Sequence, residues 1–154
     1  MPVFQSADLL KAAAAYLIAY VSDRGDSVGT ICDDRVYIRG APDSATPSSP
    51  YIVLTKAIAE SDPDVSNLCD EMEIDAVCVS SNPEQVELLG DLVRQAFLTW
   101  RFSSAAEGLL YCSKARRTTP ELHAETENRD RHEVTVTGEF TVWPATLADA
   151  LTPN

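Results

Sequence analysis

The sequence predicts an α+β domain: an antiparallel or mixed sheet of about four to five strands flanked by two main helices. Three observations carry this expectation. Two apolar stripes recur at three- and four-residue spacing, one near each end of the first hundred residues. Between and after them lie short β-patterned runs bounded by Pro, Gly and Ser. Among its 154 residues, 45 % are hydrophobic, enough for one core in one domain spanning residues 1–154.

Ser6–Val21 reads as the first helix, with Ser6 as a cap and Leu9, Leu10, Ala13, Ala14, Leu17 and Val21 on one face. Ser22–Gly29 is polar and reads as a loop. Asp34–Arg39 predicts a short strand with Val36 and Ile38 on one side. Gly40–Pro50 holds three prolines and three serines and predicts a stiff connector. Tyr51–Ala57 is continuously apolar at its start, which predicts a strand covered on both faces. Glu60–Ser66 is an acidic loop.

Asn67–Ser80 alternates Met72, Ile74, Ala76 and Cys78 against Glu71, Glu73 and Asp75, so one face of that strand is wet over its first half. A second helix follows. Asn82 caps it, Pro83 fills the first turn, and Val86, Leu89, Val93, Ala96, Phe97 and Trp100 make its stripe. It should end near Trp100–Arg101. Leu109–Cys112 opens a further strand, and 113–131 reads as a flexible charged segment. Glu133–Trp143 is the last strand, with Gly138 marking a bulge or a close backbone approach. Consecutive strands joined by moderate loops are expected to pair antiparallel, and Ala145–Asn154 to add one helical turn.

Composition narrows the function classes. The net charge is −12, which argues against a surface that grips DNA and is compatible with one past which DNA slides. Lysine is confined to Lys11, Lys56 and Lys114, against nine arginines; a halophilic host and an acidic protein from a GC-rich genome both account for that. The apolar run Ala12–Val21 lacks a basic flank and carries Asp8 upstream, so it does not read as a signal peptide. No apolar stretch is long enough to span a membrane, and the chain is expected to stay in the cytoplasm until it joins a larger object.

No catalytic constellation emerges, and neither a cofactor nor a metal is expected. P-loop, GxSxG, GxGxxG and HExxH patterns are all missing from the sequence. His123 and His132 have no recognisable nucleophile partner. Cys32, Cys69, Cys78 and Cys112 form no CxxC pair and read as structural thiols, Cys78 as a buried one. Glu71, Glu73 and Asp75 fit a solvated strand face better than a cation site. Trp100, Tyr51 and Trp143 fit core or interface positions.

The order of pieces is itself informative. A helix "ADLLKAAAAYLIA" precedes "RVYIRGAPDSATPSSPYIVL"; a strand then runs into "SSNPEQVELLGDLVRQAF", and the last pattern is "HEVTVTGEFTVW". This succession, from about Ala7 to Trp143, resembles the tail terminator (tail-completion) proteins of long-tailed phages, archaeal tailed viruses and gene transfer agents. The "VY…AP…PYIVL" block and the "F.VW" ending carry most of the likeness. The extra acids and the charged segment 113–131 depart from it.

The resemblance implies a non-enzymatic virion protein: a homo-hexameric ring at the head-proximal end of the tail tube. Such a ring stops tube growth, meets a neck or stopper protein, and lets DNA through its lumen without specific binding. On that expectation Arg116, Arg117, Glu121, Arg129, Asp130 and Arg131 would serve subunit or neck interfaces. Glu71, Glu73 and Asp75 would face the lumen. Another head–tail connector, a tube subunit, or a small cytoplasmic ligand-binding domain are the alternatives.

Overall fold

The computed structural model describes residues 6–58, 70–104, 108–118 and 131–143. Its elements in chain order are α1 (Ser6–Ala19), α2 (Val28–Cys32), β1 (Val36–Ile38), β2 (Tyr51–Ile58), β3 (Asp70–Ser80), α3 (Pro83–Thr99), β4 (Arg101–Ser104), β5 (Gly108–Thr118) and β6 (His132–Trp143). The strands form one mixed six-stranded sheet in the order β1-β2-β3-β6-β5-β4. The α+β architecture with two substantial helices is therefore as expected, with one strand more than the sequence suggested.

All sheet pairs are antiparallel except β1–β2, which is parallel in the register Val36↔Ile52 to Ile38↔Leu54. The expectation of antiparallel neighbours fails here for a geometric reason. Parallel strands need a crossover of about a dozen residues, and residues 39–50 supply it. Because the helices already occupy one side of the sheet, this helix-free crossover folds over the other side.

One face of the sheet makes the core. Ile52 and Leu54 of β2, Ile74, Ala76 and Cys78 of β3, and Val134 and Val136 of β6 are all 0 % exposed. Their registers place them side by side under the helices: Ile52 faces Cys78 across β2–β3, and Cys78 faces Val134 across β3–β6. Onto them α1 lowers Leu10, Ala13, Ala14 and Leu17, and α3 lowers Val86, Leu89, Leu92, Val93, Ala96 and Phe97. Each large aliphatic side chain buried this way contributes about 1.5–3 kcal/mol. The α1 stripe stops short of its expected end: the helix finishes at Ala19, and Val21, in a bridge with Ser27, is 59 % exposed.

The start of α3 is as the sequence predicts. Asn82 is extended, and its side-chain oxygen accepts from the Glu84 and Gln85 amides at 2.9 and 3.4 Å. Such a cap is worth about 1 kcal/mol. Trp100 closes the helix, 3 % exposed, and stacks on Tyr16 of α1 at 6.0 Å, which ties the two helices together.

Three elements were hidden in the sequence wholly or in part, the first being β4 (Arg101–Ser104), which follows directly where the helix is expected to end and where the sequence predicts no strand. The stretch read as the loop Ser22–Gly29 runs into the one-turn helix α2, capped by Ser27, whose hydroxyl accepts from the Thr30 amide at 3.1 Å. Gly29 lets this turn abut α1: a Cβ there would lie 2.6 Å from the Ile18 carbonyl oxygen. The segment read as charged from 113 onward divides as well. Residues up to Thr118 belong to β5, with a register shift between Cys112 and Lys114. Residues 119–130 lie outside the described residues, as do the Ser6 cap's surroundings, the loop near Pro63 and the tail after Trp143.

Candidate assembly surface

The sheet face away from the helices is lined by alternate residues of five strands. From β1 and β2 come Tyr37, Tyr51, Val53 and Thr55; from β3, Glu73, Asp75, Val77 and Val79; from β6, Glu133, Thr135, Thr137 and Glu139; from β5, Lys114 and Arg116. Two of the three expected lumen acids, Glu73 and Asp75, thus stand together in mid-sheet. The side chain of Glu71 lies outside the described residues. Asp75 accepts a 2.6 Å hydrogen bond from the Thr137 hydroxyl on the neighbouring strand. Glu73 sits directly opposite Glu139 in the β3–β6 register. Like charges in that position repel, and the Arg116 guanidinium from the next strand lies 3.6 Å from Glu139 to offset the repulsion.

The structure separates the arginines that the sequence grouped. Arg116 points to the helix-free face, its side chain 55 % exposed. Arg117, one residue on, turns to the helix side and pairs with Glu87 and Asp91 of α3, the latter at 2.6 Å. Its charge is engaged within the chain, so a role in folding accompanies any role between subunits. Arg131 is also engaged internally: its Nε donates to Glu133 at 2.7 Å. Burial works to lower the Arg131 pKa, but the hydrogen bonds and charges of Glu133 and, behind it, Tyr51 together more than offset it, and the pKa rises. Glu121, Arg129 and Asp130 lie outside the described residues.

At the β1 side of this face the crossover makes a lid over the sheet. Its turns are closed by Ala45 N–H to Pro42 O at 2.9 Å and Ser49 N–H to Thr46 O at 3.0 Å, and Ser81 N–H donates to Pro47 O at 2.8 Å to fasten it to the end of β3. Under it Tyr51 and Val79 are 4 % and 1 % exposed, although none of the described helices covers them. This satisfies the expectation that the start of β2 is covered on both faces. A groove of about 420 Å³ remains between the lid residues Ala41, Pro42 and Ala45 and the strand residues Val53 and Val77, with Arg131 at its margin.

Neither described thiol is placed for chemistry. Burial pushes Cys32 up to about 12 and raises Cys78 further in the same direction. A raised thiol pKa means that the folded state holds the proton more tightly than the unfolded state does. This stabilisation is complete below the unfolded thiol value of about 8.5 and is lost as pH rises towards the folded value. Both thiols should therefore resist alkylation in the native protein at pH 8 and react on unfolding, read by mass spectrometry of the Cys32 and Cys78 peptides. Rapid native labelling of either would contradict their burial.

Among the described residues, no group of three His, Cys, Asp or Glu side chains is placed to hold a metal ion, and no helix is long and apolar enough to cross a membrane. Fold and surface define a mixed-sheet α+β domain with helices on one face and a charged, partly lidded face on the other. No protein-family model matches the chain, and no curated protein matches it.

Proposed function

We propose that this protein works by assembly: it is a virion subunit of the tail-terminator kind, forming a homo-hexameric ring that ends the tail tube and meets the neck. The order of sequence elements supports the reading, and one structural observation carries it. The described sheet has β1 and β4 as its outer strands, and the β5 segment after Cys112 runs beyond its partner β4. Unpartnered strand margins invite pairing with another chain. A head-to-tail contact between identical subunits closes into a ring when its rotation allows.

Glu73 and Asp75, on the helix-free face, suit a lumen that repels passing DNA phosphates. The test is to locate the protein in particles, through a label at its C-terminus, and to image the purified chain with and without tube protein. Label at the neck and closed rings of one size are expected. Open filaments of indefinite length would make it a tube subunit, and label away from the neck would end the reading.

The lidded groove favours a second reading, a ligand-binding domain with a cleft over its sheet. Grooves of this volume accept small molecules. A chain that stays monomeric beside tube protein, and is stabilised against heat by a small apolar ligand, would support it.

A further inference from the structure

Hydrogen-bond alternation across the sheet fixes where the backbone of β5 points. The Ile52 N–H donates to Arg35 O at 3.0 Å, and the Leu54 carbonyl accepts from the Arg39 N–H at 2.8 Å, so both residues turn their backbone groups to β1. Opposed residues in an antiparallel ladder alternate between pairs that exchange both bonds and pairs that exchange none. Ile52 and Leu54 therefore exchange none with Cys78 and Ala76 of β3. Cys78, Ala76 and Ile74 turn to β6 instead and bond Val134, Val136 and Gly138. Val136 and Gly138 are thus engaged with β3. The residues opposite them on β5, Arg117 and Ala115, point their N–H and C=O groups away from β6, out of the sheet edge.

β4 does not cover this stretch, because its ladder with β5 ends at Arg101↔Tyr111. Outward residues at i and i+2 have the spacing at which an added strand bonds, and among the described residues no strand takes that place. A side chain does. Arg94 of α3 donates from Nε to the Ala115 carbonyl at 3.2 Å. Earlier on the same helix, Glu87 and Asp91 hold the Arg117 side chain. Glu87, Asp91 and Arg94 form one row on α3, and that row leans over the part of β5 that β4 leaves open.

We infer that Arg94 guards the β5 edge: it occupies the Ala115 carbonyl in the free chain, and a second copy that adds a strand along Ala115–Arg117 must displace it. This rests on the assembly reading and specifies how its subunit contact is regulated. The guanidinium bond is charge-assisted and so is stronger than the neutral backbone bond that would replace it. Charged side chains at a strand margin protect it from indiscriminate pairing. The charges of Arg116 and Arg117 do not select the partner, since both are already paired within the chain. Recognition at this edge belongs to the backbone groups.

Sedimentation of the full chain, with hydrogen exchange read at single amides, tests it. In the free chain the Ala115 and Arg117 amides should exchange faster than those of Lys114 and Arg116, which point to β6. In the associated protein all four should be protected. Arg94→Ala should strengthen association about tenfold, the effect of one hydrogen bond to a charged group. Arg94→Lys, which keeps a cationic donor, should fall between that variant and wild type. Melting curves establish that each variant is folded; Arg94→Met, which keeps the length of the side chain without its donors, replaces Arg94→Ala if it is not. Ala115 and Arg117 amides that still exchange freely in closed rings, or an Arg94→Ala chain that associates no better than wild type, would overturn the guard and leave the ring intact. Wild-type and variant chains that never associate, even with tube protein, would overturn both.

Discussion

Phe140→Ala is expected to destabilise the protein by about 4 kcal/mol, the middle of the range for truncating a buried aromatic. Phe140 is 1 % exposed and lies on the helix-covered side of β6. Its ring meets Phe97 of α3 edge-on, centroids 5.4 Å apart at 82°, and Trp100 at 5.6 Å and 76°. Trp100 in turn stacks on Tyr16 of α1, and the Tyr16 hydroxyl shares a 2.8 Å hydrogen bond with Thr99. One ring thus couples the sheet to α3 and, through α3, to α1. Removing it forfeits the transfer term, two aromatic contacts and the filling of a site that rigid neighbours cannot collapse to fill. Urea unfolding should show a lower midpoint with an unchanged slope. The melting temperature should fall by about 12 °C for a domain of this size. A loss below about 2 kcal/mol would mean that the helices shift inward to close the gap.

The parts of the fold legible in the sequence were those with a repeating pattern. α3 shows its cap, its Pro83 and a stripe whose six named members are all buried. The last strand shows strict alternation, and Val134, Val136 and Phe140 fall on its covered side. What stayed hidden had no pattern to show. α2 is a single turn, too short for helical periodicity, and is held by Val28 and Cys32, both 0 % exposed. Leu109–Cys112 reads as the opening of a strand, but the second half of β5 carries Lys114, Arg116 and Arg117 beside Ser113 and Thr118, so its composition resembles a loop. Its strand state comes from β6, which pairs with it along Leu109–Thr118. The parallel β1–β2 pairing is likewise a tertiary choice, because nothing in six residues of alternating pattern records the direction of a partner.

The candidate surface was legible in the same uneven way. Alternation alone placed Glu73 and Asp75 on one face and opposite Ile74 and Ala76, and the structure agrees. Neighbouring arginines could not be sorted without the register. In a strand, Arg116 and Arg117 must point to opposite sides, and only the placement of α3 shows that one of those sides holds Glu87 and Asp91. The lid was readable as a stiff proline-rich connector, but its path over Tyr51 and Val79 depends on the parallel pairing that the sequence did not reveal.

Gly138→Ala is expected to cost about 3 kcal/mol, a large effect for one added methyl group. Gly138 does not need glycine for its backbone, which lies outside the left-handed region. It needs the missing side chain. A Cβ there would fall 2.5 Å from Phe140 Cε2, 2.9 Å from Phe140 Cζ and 2.9 Å from Phe97 Cδ2. The backbone cannot retreat, since Gly138 pairs with Ile74 on one side and Ala115 on the other. The rings cannot easily retreat either, because Phe97 and Phe140 are each 1 % exposed. Overpacking of this kind costs about 1–3 kcal/mol, and two fixed strands and two fixed rings place Gly138 at the upper end. Close approach to the aromatic cluster, and not a bulge at this residue, is then the reason for a glycine in β6; the register shift lies across the ladder between Cys112 and Lys114. The cause can be separated from mere loss of a special residue. Phe140→Leu makes room at the nearest clash, so the double variant Gly138→Ala with Phe140→Leu should be more stable than the sum of the two single losses by about 1 kcal/mol or more. Strict additivity in urea unfolding would show that the added methyl never meets the ring.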